Sequence, residues 1–150
     1  MTYAEFKQDI IAKSSNRTTT DSFINSNNID NKVYTAMMWV ARKTLVMELV
    51  DEGYEKSMRT VGGLKMRYPI KPTSDEEVIV FDDDLIDAVA YHVLAGIEIT
   101  KAKVYMGMAR EIISDRSVGI VNELIGEGNT VTDADDLIGV ISSTGTSVVP

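Results

Sequence analysis

Few residues in this chain have side chains suited to catalysis, and their spacing limits what they can do. His92 is the only histidine, and it lies within an apolar helical pattern beside Ala88, Ala95 and Gly96. A Ser-His-Asp relay needs an imidazole poised against a nucleophile, so His92 reads as a structural residue. Two aspartate groups offer oxygen ligands, Asp82-Asp83-Asp84 and Asp133-Ala134-Asp135-Asp136. The first precedes a helical stretch, where carboxylates satisfy free N–H groups and the positive end of the dipole. The second lacks the spaced ligands, central Gly and closing Glu of an EF-hand loop. Neither G-x-x-x-x-G-K-[ST] nor G-x-G-x-x-G occurs, so Gly62-Gly63 reads as a hinge or bulge and not as a phosphate cradle. Without cysteine there is no thiolate nucleophile and no disulfide. The expectation is a chain with no catalytic, cofactor-binding or metal-binding residue, and so not an enzyme.

Binding is the better prospect. The formal charge is −8, from fifteen Lys and Arg against twenty-three Asp and Glu. Such a balance repels phosphate backbones, which argues against sequence-specific nucleic acid as a partner. Against that background Arg59, Lys65, Arg67 and Lys71 concentrate positive charge, with Tyr68 among them. These five are the candidate partner contacts, suited to an acidic surface. Met37, Met38, Met47, Met66, Met106 and Met108 fit either a core or an adaptable groove. The N-terminus has no basic stretch before an apolar run, and no window approaches eighteen apolar residues, so synthesis in the cytoplasm and no membrane span are expected.

The elements that must position these residues are mostly helical. Thr2 and Glu5 form a capping-box pattern, opening a helix to about Lys13 with Tyr3, Phe6, Ile10 and Ile11 on one stripe. In residues 14–30, eleven of seventeen are Ser, Thr or Asn, which predicts a long polar loop. Asp30 is the expected cap of a helix over residues 31–51, stopped by Gly53. Residues 61–81 contain Gly62-Gly63, Pro69 and Pro72 among β-formers, predicting a two-stranded hairpin or an extended arm with Lys71-Pro72-Thr73-Ser74-Asp75 as its tip. The prolines and flanking glycines suggest that this arm rests on a neighbour more than on its own core. Asp82, Asp83 or Asp84 should cap a helix carrying Leu85, Ile86, Val89, Ala90, Val93, Leu94 and Ile97, the clearest amphipathic pattern in the chain. After a break near residues 98–100, a further helix should bring Ala102, Tyr105, Ala109, Ile112 and Ile113 inward and restart at Ser117. The fold class expected is mainly α: a small helical bundle with a β-hairpin or extended arm inserted between helices. Residues 1–125 form the domain, and residues 126–150 an acidic tail without a core of its own.

Four runs in this order resemble a known family. They are Arg59-Thr60-Val61-Gly62-Gly63, Met66-Arg67-Tyr68-Pro69-Ile70, the Asp82-led helix from Phe81 to Ala95, and Lys101-Ala102-Lys103-Val104-Tyr105-Met106. Together they are similar to the head-tail adaptor (connector) proteins of tailed bacteriophages, over about half the chain. The resemblance implies a virion structural protein at the head-tail interface, made in the host cytoplasm. It also implies self-association into a ring, dodecameric in that family, that joins the portal protein to tail or second adaptor proteins. Two other expectations stand beside it: a cytoplasmic helical protein-binding or regulatory module using the Met-rich helix as a groove, and a metal-dependent enzyme using the aspartate clusters.

Overall fold

Thr2 Oγ1 accepts from the Glu5 N–H at 3.2 Å, and the Glu5 carboxylate accepts from the Thr2 N–H at 2.7 Å. This capping box opens α1, Tyr3–Lys13, whose Tyr3, Phe6 and Ile10 are buried. The computed structural model describes residues 1–53 and 56–126, with side chains described through residue 116. The acidic tail therefore lies outside the described residues from residue 127 onward.

The expected polar loop is instead largely a helix, α2, Arg17–Ser26. Asn16 caps it by accepting from the Thr19 N–H at 3.2 Å, and Thr20 and Ile24, one turn apart, are buried. Burial of these two positions outweighs the weak helix preference of the Ser, Thr and Asn residues around them.

The third helix, α3, Asp30–Lys43, buries Val33, Ala36, Met37, Val40 and Ala41. It begins with Ile29 at the cap position, while the Asp30 carboxylate accepts from the Tyr3 hydroxyl at 2.6 Å. The helix ends well before the predicted residue 51, so Gly53 does not stop it. Arg59 instead donates to the carbonyls of Arg42 and Thr44 at 2.9 and 3.0 Å, satisfying the helix end. Leu45 and Val46 then run buried into a short 3-10 turn, Met47–Leu49.

The inserted β-element is a hairpin of β1, Ser57–Val61, and β2, Leu64–Arg67. Its antiparallel register pairs Arg59 with Met66, Thr60 with Lys65 and Val61 with Leu64. Gly62 and Gly63 are the turn itself, with φ of 56° and 82°. Two positive φ values in a two-residue loop match strand twist and favour glycine at both positions. The tip is thus at Gly62-Gly63 and not at residues 71–75. Those later residues belong to an extended belt laid against α1: the carbonyls of Asp75 and Glu77 accept from the Ala4 and Tyr3 N–H groups. The belt thereby satisfies two of the donors that the start of α1 leaves free. Val61, Met66 and Phe81 of residues 61–81 are buried in this chain's own core, while Tyr68, Ile70 and Val78 are exposed.

Central to the core is α4, Ile86–Ile97. It packs on α1, α3 and α5, with Leu85, Val89 and Val93 fully buried and Ile97 partly so. None of the three preceding aspartates caps it by side chain; Leu85 holds the cap position. The expected break follows as a 3-10 turn, Ile99–Lys101, and then α5, Ala102–Gly126, continues without a restart at Ser117. The protein is mainly helical, with a two-stranded antiparallel hairpin inserted between helices.

Candidate functional site

The five basic and aromatic candidates separate into two groups. Arg59 is occupied by the end of α3, half-buried, its guanidinium pKa lowered by that burial. Arg67 is half-buried at the base of the hairpin, opposite Ser57. Arg59 is thus engaged within the chain, whereas Arg67 Nε is buried without a hydrogen-bond partner. Lys65, Tyr68 and Lys71 do face outward, and Ile70 and Val78 of the belt are exposed as well, Val78 at 65%. Strand alternation and the needs of the α3 terminus decide which of these side chains are exposed.

This strip leads to a cleft. Lys71 Nζ donates to Asn31 Oδ1 at 3.2 Å, and Asn31 lines an opening of about 490 Å³ between α3, α4 and α5. Lys32 and Thr35 complete the α3 wall; His92, Val93, Ala95 and Gly96 form the α4 wall, and Ala102 and Met106 the start of α5. The small residues flagged beside His92 keep α4 low here, so the wall is concave. No carboxylate lines the cleft. His92 sits 5.0 Å, ring to ring, from Trp39, and burial lowers its pKa, which keeps it neutral near pH 7. Of the methionines, Met37 and Met66 are core residues, Met106 lines the cleft, and Met47 and Met108 are exposed.

Two carboxylates that sequence reasoning did not single out as pair-makers organise the ends of α4. Asp82 is buried, accepts from the Met47 and Glu48 N–H groups at 2.8 Å each, and pairs with Arg116 at 2.9 Å. It caps the short 3-10 turn, not α4. At the other end Glu98 accepts from the hydroxyls of Ser14, Ser15, Tyr105 and Thr20. Burial raises its pKa, but the four donors together outweigh that and hold it at about 2. No local signal identifies Glu98: its partners come from the linker after α1, from α2 and from α5.

Comparison with family models, curated proteins and solved structures finds no match.

His92 has Trp39 as an aromatic neighbour and shares the cleft with Lys32 and Thr35. Asp82 and Glu98 are fully engaged in holding segments together. Among the described residues no three His, Asp or Glu side chains converge to hold a metal ion, and no helix is long and apolar enough to cross a membrane. Accessible surfaces include the strip of Lys65, Tyr68, Ile70 and Lys71 with the adjoining cleft, and Ile99, Val104 and Met108 near the start of α5 are exposed as well.

Proposed function

We propose that this chain is a virion structural protein, a head-tail adaptor subunit that associates into a ring and joins the portal to tail components of a tailed bacteriophage. The observation that carries the reading is the exposed strip of Lys65, Tyr68, Ile70 and Lys71, a basic and apolar contact surface on an acidic chain. Tyr68 is a side-chain type that interfaces favour, and the two lysines suit an acidic partner surface. The likeness of residues 59–63, 66–70, 81–95 and 101–106 to the adaptor pattern, with a hairpin between helices, supports the same reading. In it the chain performs no reaction and needs no cofactor. The partners are the portal, tail or second adaptor proteins, and further copies of the chain.

The test is a phage carrying a nonsense mutation in this gene, examined by electron microscopy and by mass spectrometry of purified particles. Filled heads separate from tails are expected, with the chain present in wild-type virions. Intact, infective particles made without the chain would reject the reading.

A further inference from the structure

We infer that the outward face at the start of α5, which is basic and apolar, docks on the acidic belt around Glu76 and Val78 of a second copy of this chain. The inference rests on the reading of the chain as a self-associating subunit, and it names the surfaces that meet.

The helix face provides the first half. Tyr105, Ala109 and Ile113 recur every fourth residue and are buried, which turns that side of α5 toward α4. Val104 and Met108, also four apart, fall outside that side and are 59% and 42% exposed, while Ile99 of the preceding 3-10 turn is 77% exposed. Large apolar side chains grouped on the surface in this way mark a contact site. From Ile99 to Arg110 the sequence has Lys101, Lys103 and Arg110 and no carboxylate, on a chain of formal charge −8. All three cations are exposed, and among the described residues none makes an ion pair. Gly107 stands among them, also exposed, with nothing within 4 Å of the place a side chain would take. A mid-helix glycine weakens the helix, and here it leaves a notch that another chain can approach closely.

The belt offers the complement. Asp75-Glu76-Glu77 leads directly into Val78, which is 65% exposed, and the Ile79 N–H donates to the Met1 carbonyl, which sets the exposed Met1 beside it. Lys7 pairs with Asp75 at 2.8 Å. Glu76 is exposed and accepts from the Ser74 hydroxyl, and among the described residues no cation meets it. One chain thus carries an exposed basic and apolar face and an exposed acidic and apolar strip. Joining the two buries apolar surface and offsets the repulsion between two copies of an acidic chain. They do not meet within one chain. Backbone bonds from Tyr3 and Ala4 to Glu77 and Asp75 fix the belt on α1, packing on α4 fixes α5, and Val78, Val104 and Met108 stay exposed in that arrangement. A second copy is therefore the occupant. The contact joins unlike surfaces of identical chains, so each copy offers one of each to its neighbours. Lys65, Tyr68 and Lys71 lie outside it.

Sedimentation of the pure full-length chain across a concentration series tests this. Self-association is expected, weakening as salt is added. Lys103→Glu and Glu76→Lys should each weaken it roughly tenfold at low salt, since each brings like charges together. An equal mixture of the two variants should associate again, because the intact belt of the first meets the intact α5 face of the second. Val104→Ser should also weaken association, with an unchanged melting temperature. All three substitutions replace exposed side chains, and melting curves confirm folding. A wild-type chain that stays monomeric throughout, a charge reversal without effect, or a mixture no better than its components would each overturn the inference. Monomers that bind phosphatidylserine vesicles, and lose that binding in Lys103→Glu, would give the α5 face to a membrane surface instead. Failure of the virion reading is separate, because it is seen as normal infective particles lacking the chain.

Discussion

Asp82 and Glu98 stand at opposite ends of α4, and each ties a distant part of the chain to α5. Asp82 is met by a cation, Arg116, and by two backbone N–H groups of the 3-10 turn Met47–Leu49. Glu98 is met by four hydroxyls and no cation. In the first case removal of the carboxylate strands a mostly buried guanidinium and two donors. In the second it leaves hydroxyls that rotate toward water or one another, as Ser14 and Thr20 already do at 2.6 Å. Similar positions at the two helix ends therefore carry different energetic weight, because the cost of a lost partner depends on what remains behind.

The comparison presumes that the apolar seam of α4, not its polar ends, supplies most of the stability. Val89→Asp is the severe test. Val89 is fully buried midway between the two carboxylates, so an aspartate there has no partner. A loss of about 4 kcal/mol or more is expected, enough to unfold a domain of this size by thermal melting or urea titration. A variant with wild-type melting would show that the seam has been assigned to the wrong face.

Asp82→Ala comes next, with an expected loss of about 3 kcal/mol. Asp84 remains to pair with Arg116 at 2.7 Å and offsets part of the effect. Asp82→Asn, which retains one acceptor, should recover some of the stability. Amide exchange at Met47 and Glu48 would localise the damage to their 3-10 turn.

Glu98→Gln is expected to cost less, about 1–2 kcal/mol. It should also change the acid limb of the stability curve. With its folded pKa held near 2, below the unfolded carboxyl value, Glu98 contributes stability that is fully present above about pH 5 and lost as pH falls toward 2. Urea titrations at pH 7, 4 and 3 should show the gap between wild type and Glu98→Gln narrowing with acidity. A constant gap would place the stabilisation outside the ionised carboxylate.

How far these features could be read from sequence follows the range of the interactions involved. The start of α1 was legible because Thr2 and Glu5 satisfy each other locally, and α4 because its apolar spacing persists for three turns. The end of α3 was not, since Arg59 supplies the terminating contacts from elsewhere in the chain. Helix α2 escaped notice because only Thr20 and Ile24 are buried in a stretch otherwise made of turn-favouring residues. Gly62-Gly63 did carry a usable signal, two glycines between β-formers, but it marked the hairpin turn and not a hinge. At the candidate contact surface, Lys65, Tyr68 and Lys71, chosen by residue type, are exposed. Arg59 was drawn to the wrong role because an arginine side chain can fold back on a helix end that sequence alone does not place.

The smallest expected effect concerns His92, in the middle of α4 between the two carboxylates. Burial lowers its pKa, so the folded protein holds it neutral where the unfolded chain would take up a proton. Its stabilising contribution is present above about pH 6.5 and is lost as pH falls through that value toward the lower folded pKa. The window of Glu98 lies lower. Between pH 7.5 and 5.5 wild-type stability should therefore decline by less than about 1.4 kcal/mol. His92→Gln should flatten that decline while folding normally and leaving particle assembly intact. Trp39 is the only tryptophan, with its ring 5.0 Å from the imidazole, so its fluorescence supplies a local readout. Protonation of the folded-state imidazole should quench it with a midpoint below 6.5, and the step should vanish in His92→Gln. A variant that folds and melts normally but abolishes infectivity would assign His92 a direct role at the cleft beyond packing against Trp39.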